Sequence, residues 1–393
     1  MSEDIPTIGM RTLTPLVCSK VHLKDVAMTV DEQELNVGSD ITSLPYDYLL
    51  PTERIAERPC YPFHAAKMLS ITRSDHQLRH RQFTDLADML GEGDVLVLNN
   101  TQVLKARLFG MLQASGAACE LLLTEDLGSG RFQAMGKPLR KMKPGIVLEF
   151  GGGMTAEVID RRGGYFVELQ FHAENPQDVY ALGVMPIPPY IREGRGDVQD
   201  ESDYQTPYAR FAGSVAAPTA GLHFTQELLT ALQGKGVHIV EVTLHVGPAS
   251  FLSVWETPEE VAAHVSSETA ATFIPPGCER GHLSSDTAEE LLRLKQGGKR
   301  VIAVGTTVVR LLETAFPASG AVEIGDFNTE LFIQPGYEFS FVDAVITNFH
   351  QPRSSHLLLV ESFLGRSLLG KAYEAALDND YRFLSYGDGM FIE

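Results

Sequence analysis

The sequence predicts an α/β protein with a mostly parallel sheet, flanking helices and a small antiparallel β-barrel inserted into it. Three observations carry that expectation. Between residues 101 and 183 the apolar pattern runs in six short alternating stretches separated by glycine-rich turns, as in a small barrel. After residue 184 strand-like runs alternate with helical patterns, a β-α-β rhythm that favours parallel pairing. Five clusters also stand directly after apolar strand-like runs: Ala216–Phe224, His245-Val246-Gly247, Gly305-Thr306-Thr307, Thr347-Asn348-Phe349-His350 and Ser385-Tyr386-Gly387-Asp388. Loops in that position bind ligands in open α/β sheets, because helix N-termini and free amides converge at the carboxyl ends of strands.

Taken in order, residues 1–40 are polar and irregular in period and read as an N-terminal extension. Residues 41–100 form a small α/β lead-in that ends in a buried strand, Asp94-Val95-Leu96-Val97-Leu98, followed by Asn99-Asn100-Thr101. The six barrel stretches are Ala106–Leu112, Cys119–Thr124, Phe132–Met135, Ile146–Phe150, Thr155–Asp160 and Phe166–Phe171, and residues 101–183 make the inserted domain. The α/β domain resumes over 184–393, from the proline motif Met185–Tyr190. There Thr225 N-caps a helix that ends near Gly234, His238–Val246 is a strand, and Asp286–Lys295 is a helix closed by Gly297-Gly298. Val301–Val304 and Val342–Ile346 are strands, Val308–Ala315 is a helix, and Ser354–Leu377 is helix with a candidate break at Gly365.

The chain of 393 residues, 44% of them hydrophobic, can bury a large core. Cys18, Cys60, Cys119 and Cys278 lack CxxC spacing, so neither a zinc site nor a disulfide framework is expected, and reduced thiols are. No apolar run approaches the roughly 20 residues needed to span a bilayer, and Glu3 and Asp4 stand where a secretory signal carries cations. A cytoplasmic monomer that does not engage membranes is expected. A net charge of −19 disfavours broad contact with a polyanion, so any nucleic-acid footprint must be local.

The words AAPTAGLHF, GTTVVRLLE, TNFH, SYGDGMFI, MPIPPYI and YQTPYA closely resemble the S-adenosylmethionine:tRNA ribosyltransferase-isomerase family of queuosine biosynthesis, from about Tyr46 to Ile392. The resemblance implies an α/β domain interrupted by a β-barrel, S-adenosylmethionine as co-substrate and tRNA as acceptor. The ribosyl part would move onto 7-aminomethyl-7-deazaguanine at the wobble position and become the epoxycyclopentanediol of epoxyqueuosine, with loss of adenine and methionine. Such chemistry needs a base for the acidic hydrogens beside the sulfonium and acids for the leaving groups. Histidine suits both tasks. His223, His245 and His350 all lie in matched words at strand ends, and each is either the base or a side chain that ties down its loop.

Thr219 and Gly221 belong to the same loop as His223. Gly305, Thr306 and Thr307 offer backbone N–H groups and hydroxyls to a carboxylate or to ribose hydroxyls, with Arg310 and Glu313 a turn further on. From spacing alone that stretch is equally an ordinary threonine cap followed by an i, i+3 ion pair. Asn348 suits a base edge and Asp388 an amine or ribose hydroxyl, although both residues also favour turns. No GxGxxG, P-loop or metal-ligand spacing is present, and no metal is expected.

For tRNA the candidates are Lys137, Arg140, Lys141 and Lys143, four cations without an acid in seven residues, with Arg192 and Arg195 after the proline motif. A solvated basic loop is the plain alternative. The chain departs from the family at four words. RDxSRL reads Phe63-His64-Ala65-Ala66-Lys67-Met68, NNTRV reads Asn99-Asn100-Thr101-Gln102-Val103, GTFxPV reads Ala249–Val254, and MHSE reads Val265-Ser266-Ser267-Glu268. Those changes leave open a divergent S-adenosylmethionine-binding paralogue with another acceptor. A non-enzymatic RNA- or nucleoside-binding module would dispense with the three histidines, and the chain keeps them.

Overall fold

A computed structural model describes residues 48–162, 166–173, 175–248 and 277–393. The expected extension over residues 1–40 lies outside them, as do the departures at 249–254 and 265–268. In chain order, β1 (Lys67–Thr72), β2 (Gln77–Gln82), β3 (Asp94–Asn99) and β4 (Thr101–Val103) precede β5 (Arg107–Leu112), β6 (Ala118–Gly128), β7 (Arg131–Lys137), β8 (Val147–Glu149), β9 (Thr155–Arg162) and β10 (Phe166–His172). Then follow β11 (Phe211–Ser214), β12 (His238–His245), β13 (Glu279–Leu283), β14 (Arg300–Val304), β15 (Gly325–Thr329), β16 (Ala344–Asn348) and β17 (Gly389–Ile392).

Nine strands form one sheet in the order β15-β13-β12-β3-β14-β16-β17-β1-β2. Its centre, β12-β3-β14-β16, is parallel throughout. The flanks are not: β13 runs antiparallel to β12 and β15, β17 antiparallel to β16, and β2 antiparallel to β1. The sheet is therefore mixed, which corrects the expectation of a mostly parallel one. Apolar runs reveal buried central strands, whereas β2 reads QLRHRQ and β15 reads GDFNT, too polar to register as strands at all.

Strand alternation divides the core. Val95, Val97, Val301, Ala303 and Val345 face the side on which the helices Ser285–Gln296, Thr306–Ala315, Ser355–Leu364 and Arg366–Asp378 pack. Leu96, Leu98, Ile302, Val304 and Ile346 face the other side, with Phe83, Phe224 and the helix Gln226–Gly234. Thr225 caps that last helix by accepting from the Leu228 N–H, a bond worth about 1 kcal/mol.

The second unit is a closed antiparallel barrel, β10-β7-β6-β5-β8-β9, in which each of the six predicted stretches is a strand. It encloses its own core, including Leu108, Leu121, Phe132, Leu148, Val158 and Leu169. The chain enters it only after β4, which pairs in parallel with β11.

Candidate active site

The parallel strands β12, β3, β14 and β16 end together, so His245, Asn99, Gly305 and Asn348 are collected along one edge of the sheet. Because β17 runs opposite to β16 and pairs Gly389 with Asn348, the start of β17 reaches the same edge, and so does the start of β1 through Met68 opposite Gly389. Asp388 thus arrives beside Asn348 from the far end of the sequence.

On the face of Ile346 the side chains converge. Thr219 Oγ1 donates to Asn348 Oδ1 at 2.8 Å, which turns the Asn348 amide nitrogen toward His223 Nε2 and the Asp388 carbonyl, each 3.5 Å away. His223 Nδ1 lies 3.4 Å from the Phe63 carbonyl. The two contacts select one tautomer: Nδ1 carries the proton toward Phe63, and Nε2 presents a lone pair at the edge of the sheet. Phe83 stacks beneath the imidazole at 3.9 Å between ring centres. It reaches that place across Gly389, where a Cβ would lie 2.8 Å from the Phe83 ring. Burial holds the His223 pKa down to about 4, with Arg382 adding to the fall and the Phe63 carbonyl opposing it. His223 is therefore neutral at working pH. A narrow cleft lined by Cys60, Phe63, Leu222, His223, Ser385 and Tyr386 opens onto it.

The loop that carries Thr219 and His223 is seated by close approaches. Ala220 lies 3.7 Å from where a Gly305 Cβ would be, which places the loop over the first turn of the helix Thr306–Ala315. Gly221 is required because the Tyr208 hydroxyl occupies the place of a side chain there while donating to the Gly221 carbonyl at 3.2 Å. Thr306 is buried, and Thr307 Oγ1 is buried without a hydrogen-bond partner among the described residues.

The other two histidines stand apart from His223. His245 is on the same face, but β3 and β14 separate β12 from β16, about 14 Å at ordinary strand spacing. Its Nδ1 lies 2.9 Å from Thr101 Oγ1, which contacts Ser214 Oγ at 2.7 Å, and its ring packs flat on Gly213. Burial lowers its pKa, and Arg280 contributes in the same direction. His350 turns to the opposite face, where Nε2 meets Thr347 Oγ1 at 3.0 Å and the ring stacks on His356 at 5.0 Å. Burial, then His356, lowers its pKa well below the usual value. His350 therefore lies across the sheet from His223, whereas His245 shares its face three strand spacings away.

Arg310 does not reach the cluster. Its guanidinium pairs with Glu279 and donates to the carbonyls of Leu331, Gly277 and Thr329, which anchors the helix to β13 and β15. Glu313 accepts the backbone N–H groups of Ser340, Phe341 and Val342, so the i, i+3 pair does not form either. The Asp388 carboxylate accepts the Lys67 and Arg382 N–H groups at 2.8 and 2.7 Å. It fixes a turn, and burial pushes its pKa up.

A family model described as "Queuosine biosynthesis protein" matches residues 44–392. The chain belongs to the queuosine biosynthesis protein family. Among its curated relatives, the S-adenosylmethionine:tRNA ribosyltransferase-isomerase of Natranaerobius thermophilus is 41% identical over 354 residues, 88% of this chain and 98% of the relative. That of Symbiobacterium thermophilum is 40% identical over 350 residues, with the same coverage. A crystal structure of the S-adenosylmethionine tRNA ribosyltransferase from Thermotoga maritima aligns with a TM-score of 0.49 and 32% identity, covering 88% of this chain and 99% of that one.

In this family member the altered word Phe63–Met68 lies against the cluster. The Phe63 carbonyl faces His223, His64 Nδ1 meets Thr225 Oγ1 at 2.6 Å, and Lys67 Nζ donates to the carbonyls of Asn379 and Asp380. Phe83 is the contact that the sequence reading missed; it follows the polar β2 and nothing in its neighbourhood marks it. Of the cations proposed for tRNA, Arg192 is engaged with Asp200 and the Glu57 carbonyl, and Arg195 with Glu193 at 2.9 Å. Lys137, Arg140, Lys141 and Lys143 are exposed and pair with no acid among the described residues.

Proposed function

We propose that this chain transfers the ribosyl part of S-adenosylmethionine onto 7-aminomethyl-7-deazaguanine at the tRNA wobble position and isomerises it to epoxyqueuosine, releasing adenine and methionine. The observation that carries this reading is the family match over residues 44–392, joined to about 40% identity with relatives of that name whose length the chain covers almost whole. It is a transferase and isomerase of queuosine biosynthesis, with S-adenosylmethionine as co-substrate and tRNA as acceptor. We read the protein as cytoplasmic and monomeric; among the described residues no helix is long and apolar enough to cross a membrane. We divide it into an extension over 1–40, an α/β body of 41–100 and 184–393, and an inserted barrel domain at 101–183, a division supported by the barrel's separate core.

Within the body, His223 is our candidate base. Its Nε2, held only by the long contact from the Asn348 amide, is the nitrogen placed to take the proton beside the sulfonium, since Nδ1 faces the Phe63 carbonyl. Neutrality at working pH keeps that lone pair available without competing protonation. Thr219 and Asn348 position the ring rather than exchange protons, and the Gly305–Thr307 turn with its unpartnered hydroxyl is the place for a carboxylate or ribose hydroxyl. His245 and His350 then serve later proton transfers or their own loops.

The test is direct. Given S-adenosylmethionine and tRNA bearing the 7-deazaguanine precursor, the protein should release adenine and methionine together, followed by chromatography. Thr219→Val, which frees the Asn348 amide, should slow release about fivefold, the equivalent of one hydrogen bond of roughly 1 kcal/mol. No release by the parent protein would overturn the reading.

A further inference from the structure

We infer that the outer face of β5, β6 and β7 is a stacking platform for an unpaired base of the acceptor RNA, with Phe109 as its aromatic surface and Lys137, Arg140, Lys141 and Lys143 as its phosphate clamp. This rests on the reading of tRNA as acceptor. Strand register puts the parts together: Phe109 lies opposite Glu120, and Glu120 opposite Lys137, so the three form one row across the barrel wall. Two strand spacings place Phe109 and Lys137 about 10 Å apart, within the span of one nucleotide and its phosphate.

The row points outward. Phe109 is 53% exposed and Met111, the next outward residue on β5, is 51% exposed. Phe109 and Met111 together make an apolar strip on this face, and Phe109 makes no ring contact among the described residues. The acid in the row is neutralised, because Glu120 pairs with Arg107 at 3.3 Å. Beyond Lys137 the chain leaves β7 through Leu139–Lys141, carrying the loop cations past the end of the same row. Two other barrel cations differ: Arg131, at the opposite end of β7, and Arg162, at the end of β9, both close on the buried carboxylate of Glu168.

Charge decides the occupant. On a chain of net charge −19, four exposed cations without acid partners among the described residues, beside a bare aromatic ring, complement a polyanion with exposed bases. Stacking on such a ring is indifferent to sequence, so the platform would hold a splayed loop base while the active site reads the wobble position. A paired stem offers phosphates but no free base face.

Fluorescence anisotropy with an anticodon stem-loop RNA hairpin, and with a blunt duplex of equal length, tests this across a salt series. Phe109→Ala should weaken hairpin binding about tenfold, leave duplex binding unchanged and keep the salt slope; Phe109→Trp should restore affinity. Replacing the four cations by Ala should instead lower the slope of log K against log salt by roughly 3 for both RNAs. Equal hairpin binding by the parent and Phe109→Ala, with adenine release intact, overturns the platform and leaves the acceptor reading standing. Failure of the parent to bind or modify tRNA overturns both. If Phe109→Ala changes the mass measured by light scattering rather than RNA affinity, the face is a contact between copies of this chain and the platform is wrong.

Discussion

Acid should loosen this protein through His223. In the folded chain burial holds that imidazole at about 4, whereas its ordinary value is 6.5. The unfolded chain therefore binds a proton between those values that the folded chain refuses, so stability rises with pH across the window, is fully present above about 6.5 and is lost as pH falls toward 4. The difference of 2.5 units, 6.5 minus 4, corresponds to about 3 kcal/mol at 1.36 kcal/mol per unit. The side chain is only 5% exposed, so solvent screening does not reduce that figure much. The perturbation is His223→Gln, which keeps a side chain able to accept from Asn348 and removes the titration. Urea unfolding followed by circular dichroism at several pH values between 7.5 and 4.5 should show the parent losing about 2.5 kcal/mol more than the variant, most of the full figure. His356, also held to about 4 by burial, lowers both proteins alike. The imidazole proton resonance of His223 should titrate near 4, and its activity profile should lack an acid limb near 6.5. Parallel loss of stability in parent and variant, or a resonance that titrates near 6.5, would refute the argument that burial sets this residue's charge.

Two further outcomes concern the frame around it. Gly221→Ala should lower the melting temperature by the equivalent of about 1–3 kcal/mol, and adding Tyr208→Phe should return part of the loss, since the hydroxyl is the atom in the way. Arg310→Leu alone should cost about 3–5 kcal/mol by stranding Glu279 in the interior, while Arg310→Leu with Glu279→Leu should recover much of it, measured by thermal unfolding.

How much of this was legible in the chain depends on what each residue had to do. The barrel strands and the helix capped by Thr225 announce themselves because their apolar period is set by one local packing face. The Thr219 and His223 loop was legible as a unit, and it does meet Asn348. The fate of His350 was not, because a strand's alternation sends Thr347 and Asn348 to opposite faces, and two residues beyond the strand the direction depends on Thr347 and His356 rather than on spacing. Arg310 sits in a family word yet ties together three elements, a partnership that exists only once β13 and β15 are placed. Polar edge strands such as β2 leave no periodic trace, which is why the sheet was expected to be parallel.

The position of β17 has a consequence for how the molecule is made. β1 is among the first strands synthesised, yet its neighbour toward the sheet centre is β17, which lies at residues 389–392. Until that strand emerges, the β1–β2 hairpin can pair only with itself, and a lone hairpin is marginal in water. The barrel, whose pairings all lie between Arg107 and His172, can close during synthesis. The sheet edge that brings Asp388 and Phe83 to His223 cannot. The candidate site around His223 is therefore the last part of the chain to form, and the parent should acquire S-adenosylmethionine affinity only after the hairpin docks, as a slow non-local step separate from barrel folding.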